Sequence, residues 1–175
     1  EVSGILRLQN PSALDLQGQG VLIGFVDTGI TYEHPAFRNA DGTTRIVGIW
    51  DQTVEDGTPP NGMVYGAFYG EKQINEALRS ERPREIVPEQ DENGHGTFLA
   101  GVACGSTDGT ADFSGAAPLA QIAVVKCKQA KLYLRDYYFI PQGQECYQEN
   151  DLMMGISWLN RFAYERRMPL VLCVG

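Results

Sequence analysis

Three stretches of the chain are apolar at nearly every position, and such runs read as strands covered on both faces, as in a parallel sheet. The first, Val21-Leu-Ile-Gly-Phe-Val26, stops abruptly on Asp27 and the turn Thr28-Gly29-Ile30. The second is Gln121-Ile-Ala-Val-Val-Lys126 and the third Pro169-Leu-Val-Leu-Cys-Val-Gly175. A fourth, Arg45-Ile-Val-Gly-Ile-Trp50, follows the hairpin signal Asp41-Gly42. Between the strands the apolar period becomes helical. Ile74 and Leu78 mark a helical patch near Glu71 to Ser80, and Leu152, Ile156, Leu159 and Phe162 or Ala163 mark a longer one. Asn150 or Asp151 is the expected cap of that longer helix, and Arg166 and Arg167 close it at the negative end of its dipole. A third helix, rich in Gly and Ala, runs from Phe98 to Gly105, with His95 at or just before its first turn.

Strands alternating with helices across crossover-length connections predict an α/β fold, a three-layer sandwich around a mostly parallel sheet. A chain of 175 residues supports one such core, so residues 1–175 are expected to form part of a single domain. Two stretches interrupt the pattern, 51–92 and 128–150, and are expected to be surface insertions; loops of that length are usually functional. Residues 1–20, with a short helix or turn over Asn10 to Leu16, are expected to pack across the core and close it. The third strand needs neighbours on both faces, so the domain is expected to be incomplete at its C-terminal end.

Composition narrows the functional classes. The net charge is −8, which offers no basic patch for phosphates, so neither nucleic acid nor an anionic membrane is expected as a partner. No apolar run is long enough to span a bilayer. Cys104, Cys127, Cys146 and Cys173 show no zinc-site spacing and read as buried free thiols. The aromatic residues Tyr133, Tyr137, Tyr138, Phe139 and Tyr147 read first as packing, and secondarily as a partner surface.

Candidate chemistry sits at the strand ends, where ligands gather in open parallel sheets. Asp27 ends a strand and His95 opens a helix, so both can converge on one edge. A carboxylate touching an imidazole fixes its tautomer and leaves the other nitrogen free as a general base. The bland alternatives are a turn-forming Asp and an exposed histidine at a helix start. Asp-Thr-Gly is also an aspartic protease signature, but that reading needs a second copy and leaves Asn93-Gly94-His95-Gly96-Thr97 without a role. Zinc is disfavoured, since His34 and His95 are the only histidines and lack helical ligand spacing.

In this order, Val26-Asp27-Thr28-Gly29-Ile30, His34-Pro35, Asn93-Gly94-His95-Gly96-Thr97-Phe98-Leu99-Ala100-Gly101 and Gly115-Ala116-Ala117-Pro118 resemble the signatures of the subtilisin-like serine proteases. The resemblance implies that Asp27 orients His95, that His95 is the general base, and that a serine and an oxyanion-hole asparagine complete the site from beyond Gly175. It implies a peptide or protein substrate, with a propeptide as a further partner, and places an extended substrate against an edge formed by Glu145, Cys146, Tyr147, Gln148 and Glu149, with Gly175 opening the segment that lines the first pockets. No cofactor is implied. Ala36 stands where many relatives carry a calcium-binding Asp, so no metal site is predicted there. Phe98 stands where relatives often carry a second histidine, and is expected to pack on its helix, away from the chemistry. Ile49-Trp50-Asp51-Gln52-Thr53 and Tyr147-Gln148-Glu149-Asn150-Asp151 further resemble the Csp branch of clostridial spores. That branch implies spore association, limited proteolysis of a cortex-lytic precursor and, in some members, a dead enzyme that acts as regulator or receptor. The 175 residues alone are expected to be inactive without the serine.

Overall fold

The computed structural model describes residues 3–10, 14–107 and 113–175. Its elements, in chain order, are α1 (Ile5–Gln9), β1 (Leu22–Asp27), a 3-10 turn (Pro35–Phe37), β2 (Ile46–Asp51), β3 (Ala67–Gly70), α2 (Glu71–Arg79), α3 (Pro83–Ile86), α4 (His95–Cys104), β4 (Gln121–Lys126), α5 (Leu132–Tyr137), α6 (Glu149–Glu165) and β5 (Leu170–Val174). The strands form one sheet in the order β3-β2-β4-β1-β5. Every pairing is parallel except that of β3 with β2. The C-terminal ends of β1, β2, β4 and β5 therefore open on the same edge.

Strand alternation sorts the core into two layers. Ile23 and Phe25 of β1 and Ile122 and Val124 of β4 face Ile74 and Ala77 of α2 and Ala100 and Cys104 of α4. Leu22, Val26, Ala123 and Val125 face the other way, against Trp158, Leu159 and Ala163 of α6. On this second face Trp50 and Trp158 meet edge to face with ring centroids 5.9 Å apart, and Phe68 and Phe162 extend the cluster. Each large side chain fully removed from water here contributes about 1.5–3 kcal/mol. The result is the three-layer α/β sandwich expected from the sequence.

Arg45, just before β2, ties the layers together. Its guanidinium is buried and donates to the carbonyl oxygens of Ala36 (2.6 Å), Cys104 (2.6 Å) and Ala120 (2.9 Å). Among the described residues it forms no ion pair with a carboxylate. Its charge is instead met by carbonyl dipoles, one of them at the negative end of α4, and burial holds its pKa below the usual arginine value.

Several expectations are corrected. The stretch 51–92 is only partly surface: it supplies the edge strand β3 and buries Met63, Ala67, Tyr69, Ile74, Ala77, Val87 and Glu89. A four-residue strand is too short to announce itself by periodicity. α6 starts at Glu149 with Gln148 as its N-cap, so neither Asn150 nor Asp151 caps it. Asp151 turns inward, accepting from Tyr65 Oη at 2.8 Å and lying 3.2 Å from Lys128 Nζ, while its carbonyl accepts from Gln52 Nε2. The described residues of the opening segment do not close the core, since Leu6, Leu8, Leu14 and Leu16 are exposed. It is held by hydrogen bonds from Gln9 Nε2 to the Gly115 and Ala116 carbonyls. Its first helix is Ile5–Gln9, and part of the helix or turn expected from Asn10 onward, at residues 11–13, lies outside the described residues. Tyr133, Tyr137, Tyr138 and Phe139 are exposed rather than packed, with the rings of Tyr137 and Tyr138 meeting at right angles. All four cysteines are free; Cys104 and Cys127 are buried, and Cys146 and Cys173 only partly so.

Candidate active site

Asp27 ends β1 with its side chain almost fully buried, because the strand that carries it is flanked by β4 and β5. α4 begins at His95, directly after Gly94, whose φ of +86° is a left-handed conformation suited to glycine. The two side chains meet. His95 Nδ1 lies 2.9 Å from Asp27 Oδ1 and 3.1 Å from Oδ2, and the imidazole is 48% exposed. Asp27 Oδ1 also accepts from Thr28 N at 2.6 Å, which fixes the carboxylate. With Nδ1 engaged, Nε2 is the nitrogen left to take up a proton.

Glycine is required where these elements touch. A Cβ at Gly96 would collide with the Gly29 carbonyl oxygen and crowd Asp27. Gly96→Ala is therefore expected to lift the first turn of α4 and lower stability by about 1–3 kcal/mol, the usual cost of overpacking. Thermal unfolding of the full-length protein measures this, and an unchanged melting temperature would contradict the close approach.

A carboxylate the sequence reading did not single out holds the pair in register. Asp91 accepts from Thr28 Oγ1 (2.8 Å), Gly94 N (2.9 Å), Thr97 N (2.8 Å) and Thr97 Oγ1 (2.5 Å), joining the turn after β1 to the start of α4. Burial alone would push its pKa up, but the bonds from Thr97, Thr28 and Gly94 outweigh it and hold the carboxyl below its ordinary value. Thr28 Oγ1 in turn accepts from Gly96 N, and Thr97 Oγ1 from Thr31 N. The available signal was an Asp four residues before His95 among Asn and Gly, a turn pattern in which a side chain caps nearby backbone N–H groups.

The residues expected to meet substrate separate into two groups. Glu145, Tyr147 and Gly175 line a cavity of about 240 Å³ together with Asp27, Thr28 and His95. Gly175 lies so close that a Cβ there would overlap Asp27 Oδ2. Glu145 reaches across to accept from Asn93 Nδ2 at 2.9 Å. Cys146, Gln148 and Glu149 lie instead on a second cavity, under α5, which Tyr147 also lines; Gln148 is the N-cap of α6 and Glu149 its first residue. That edge pairs on one side with the 129–130 loop, through the antiparallel bridge of Gln129 with Tyr147. Phe98 does not pack down as expected; it is exposed beside an apolar groove shared with Phe37, Val102 and Phe113.

Cys127 also lines the cavity beside His95. Burial first, and then the negative charges of Asp27 and Asp151, push its thiol up to about 12. It is therefore protonated near neutrality and unsuited to act as a thiolate nucleophile. Among the described residues there is no cluster of three or more His, Cys, Asp or Glu side chains arranged to hold a metal ion.

A buried carboxylate on an imidazole, at the C-terminal edge of a parallel sheet and held by an Asp-Thr-Gly turn and a His-Gly-Thr helix start, fits one family. Residues 18–145 match the subtilase family, and the chain belongs to it. It is 36% identical to the solved structure of the Clostridium perfringens CspB protease, with a TM-score of 0.78 over 98% of this chain and 32% of that one. Thermitase of Thermoactinomyces vulgaris is 32% identical over 124 residues, which cover 70% of this chain and 32% of thermitase. The subtilisin-like protease SBT3.5 of Arabidopsis thaliana is 32% identical over 140 residues, covering 69% and 18% respectively. The chain thus spans about a third or less of these relatives.

Proposed function

We propose that the full-length protein is a serine endopeptidase in which Asp27 orients His95 and His95 takes the proton of a serine supplied by the remainder of the chain. The observation that carries this reading is the contact between His95 Nδ1 and both oxygens of the buried Asp27 carboxylate. That contact selects the tautomer with a basic Nε2 and stabilises the imidazolium formed when the serine attacks. The cavity lined by Glu145 and Tyr147 offers room for a substrate side chain next to the reacting groups. The test is labelling of the full-length protein with a fluorophosphonate serine probe. Covalent labelling abolished by His95→Ala supports the reading; no labelling, with a serine present in the remaining sequence, sinks it and favours the regulatory, catalytically silent alternative. The narrower proposal is that the substrate is a cortex-lytic precursor, as the resemblance to the Csp branch implies; site-specific cleavage of such a precursor by the full-length protein tests it, and no cleavage by a probe-reactive enzyme would refute it.

The pair also sets a pH dependence. The hydrogen bond and the negative charge of Asp27 raise the His95 pKa above the ordinary histidine value, with smaller contributions from Asp91 and Glu145. The active form is the neutral imidazole, so activity is lost as pH falls through that raised value. The acidic limb of kcat/KM is therefore expected above the ordinary histidine pKa of about 6.5. Asp27→Asn is expected to move the limb toward lower pH, and an unmoved limb would show that another group controls it.

A further inference from the structure

Beneath the turn that follows Asp27 lies an acidic side chain that the proposed chemistry does not use. Glu89 is 2% exposed. Its Oε1 accepts from Ile30 N at 3.0 Å, and its buried Oε2 has no hydrogen-bond partner among the described residues. The approach is close enough that a Cβ on Gly29, which has a φ of +126°, would overlap Oε1. The carboxyl thus props up the Gly29–Ile30 backbone two to three residues beyond Asp27, while Asp91, two residues further along the same segment, bonds the turn at Thr28 and the start of α4.

We propose that Glu89 is a positioning residue for the Asp27–His95 pair, bracing the Gly29–Ile30 backbone, and that loss of its proton, which leaves a charge on the buried, unpartnered Oε2, draws the side chain out from under the turn and misaligns the pair. The proposal rests on the dyad reading above and adds a group that controls it from below. The surroundings make the proton consequential. Desolvation pushes the Glu89 carboxyl up to about 8; the Ile30 N–H and the charge of Lys126 at the end of β4 oppose the rise, and the charges of Asp51 at the end of β2 and of Asp91 add to it. Tyr69 of β3 and Tyr32, after β1, also face it electrostatically. The folded protein thus keeps a proton that the unfolded chain releases in the ordinary glutamate range. The penalty for a buried charge is absent below that range and grows as pH rises toward about 8.

The test compares full-length wild-type, Glu89→Gln and Glu89→Ala proteins. Glutamine keeps an acceptor for Ile30 N–H but has no proton to lose; alanine removes the brace. The expectation is a wild-type kcat that declines on the alkaline side with an inflection near pH 8, absent in Glu89→Gln, whose kcat at pH 6.5 stays within about threefold of wild type. Glu89→Ala is expected to lower kcat by about 10–100-fold with little change in KM, the scale of a small misplacement of reacting groups. An inflection that persists in Glu89→Gln overturns the proposal, as does a Glu89→Ala protein with undiminished kcat. Should the alanine variant fail to fold, the glutamine profile decides alone. A second readout does not need proteolysis. In ¹³C-histidine-labelled protein, with the His95 resonance assigned by its loss in His95→Ala, the His95 signal is expected to show a second inflection near pH 8 in wild type that is absent in Glu89→Gln. If peptidase activity is missing but this inflection follows Glu89, the protease reading fails while the bracing role stands. If His95 shows no such inflection, the bracing role fails.

Discussion

Replacing His95 with alanine in the full-length protein is expected to lower kcat by about six orders of magnitude, and replacing Asp27 with asparagine by about four, the scale known for serine protease triads. The asymmetry follows from the geometry. In the proposed mechanism His95 carries the proton itself. Asp27 would act through Nδ1, 2.9 Å away, so an asparagine still fills the space but favours the wrong tautomer. The double variant should be no slower than His95→Ala alone, because the two act as one unit. Single-turnover hydrolysis of a peptide ester by the three proteins measures this. A loss of less than about a hundredfold in His95→Ala would remove the imidazole from the mechanism, whatever the distances are.

The second large effect is expected far from the cavity. Arg45→Met should lower stability by about 3–5 kcal/mol, because the Cys104 and Ala120 carbonyl oxygens lose a buried donor, while the Ala36 carbonyl keeps its bonds from Ser106 N and Oγ. Methionine matches much of the side-chain stem, so the loss isolates the guanidinium. Arg45→Lys should recover little, since a single ammonium cannot reach carbonyls on three segments with the geometry of a planar fork. Denaturant unfolding of the full-length protein measures both variants. A loss below about 1 kcal/mol in Arg45→Met would mean that the carbonyls find other partners, and that Arg45 does not hold the end of α4 against the 3-10 turn and the lead into β4.

How much of this was legible depended on how local each signal was. β1, β4 and the meeting of Asp27 with His95 could be read because each rests on a continuous run, an apolar strand or a glycine-flanked histidine, whose position in a parallel sheet is nearly forced. The two Csp-like stretches proved to be neighbours, since Gln52 Nε2 donates to the Asp151 carbonyl at 3.0 Å. Glu89 and Asp91 sit in a polar stretch where nothing local distinguishes a solvated acid from a buried one; only the fold over them does. Asp151 misled as a helix cap because a carboxylate near a helix start has two uses, and the Tyr65 hydroxyl and Lys128, distant in sequence, decided between them. Of the residues expected to form a substrate edge, Glu145 and Tyr147 line the cavity beside His95, whereas Cys146, Gln148 and Glu149 line the one under α5, and that division depends on how the chain turns into α6, which no local pattern announces.

The aromatic cluster on the α6 face has a spectroscopic consequence. Both tryptophans of this chain, Trp50 and Trp158, belong to it, and neither lies in the layer where α4 packs on the sheet. Their fluorescence will report when α6 separates from the sheet and will stay silent while the Asp27 turn loosens from the start of α4. In this segment, an unchanged emission spectrum is thus compatible with a disordered dyad, and a probe placed on α4 is needed to see it.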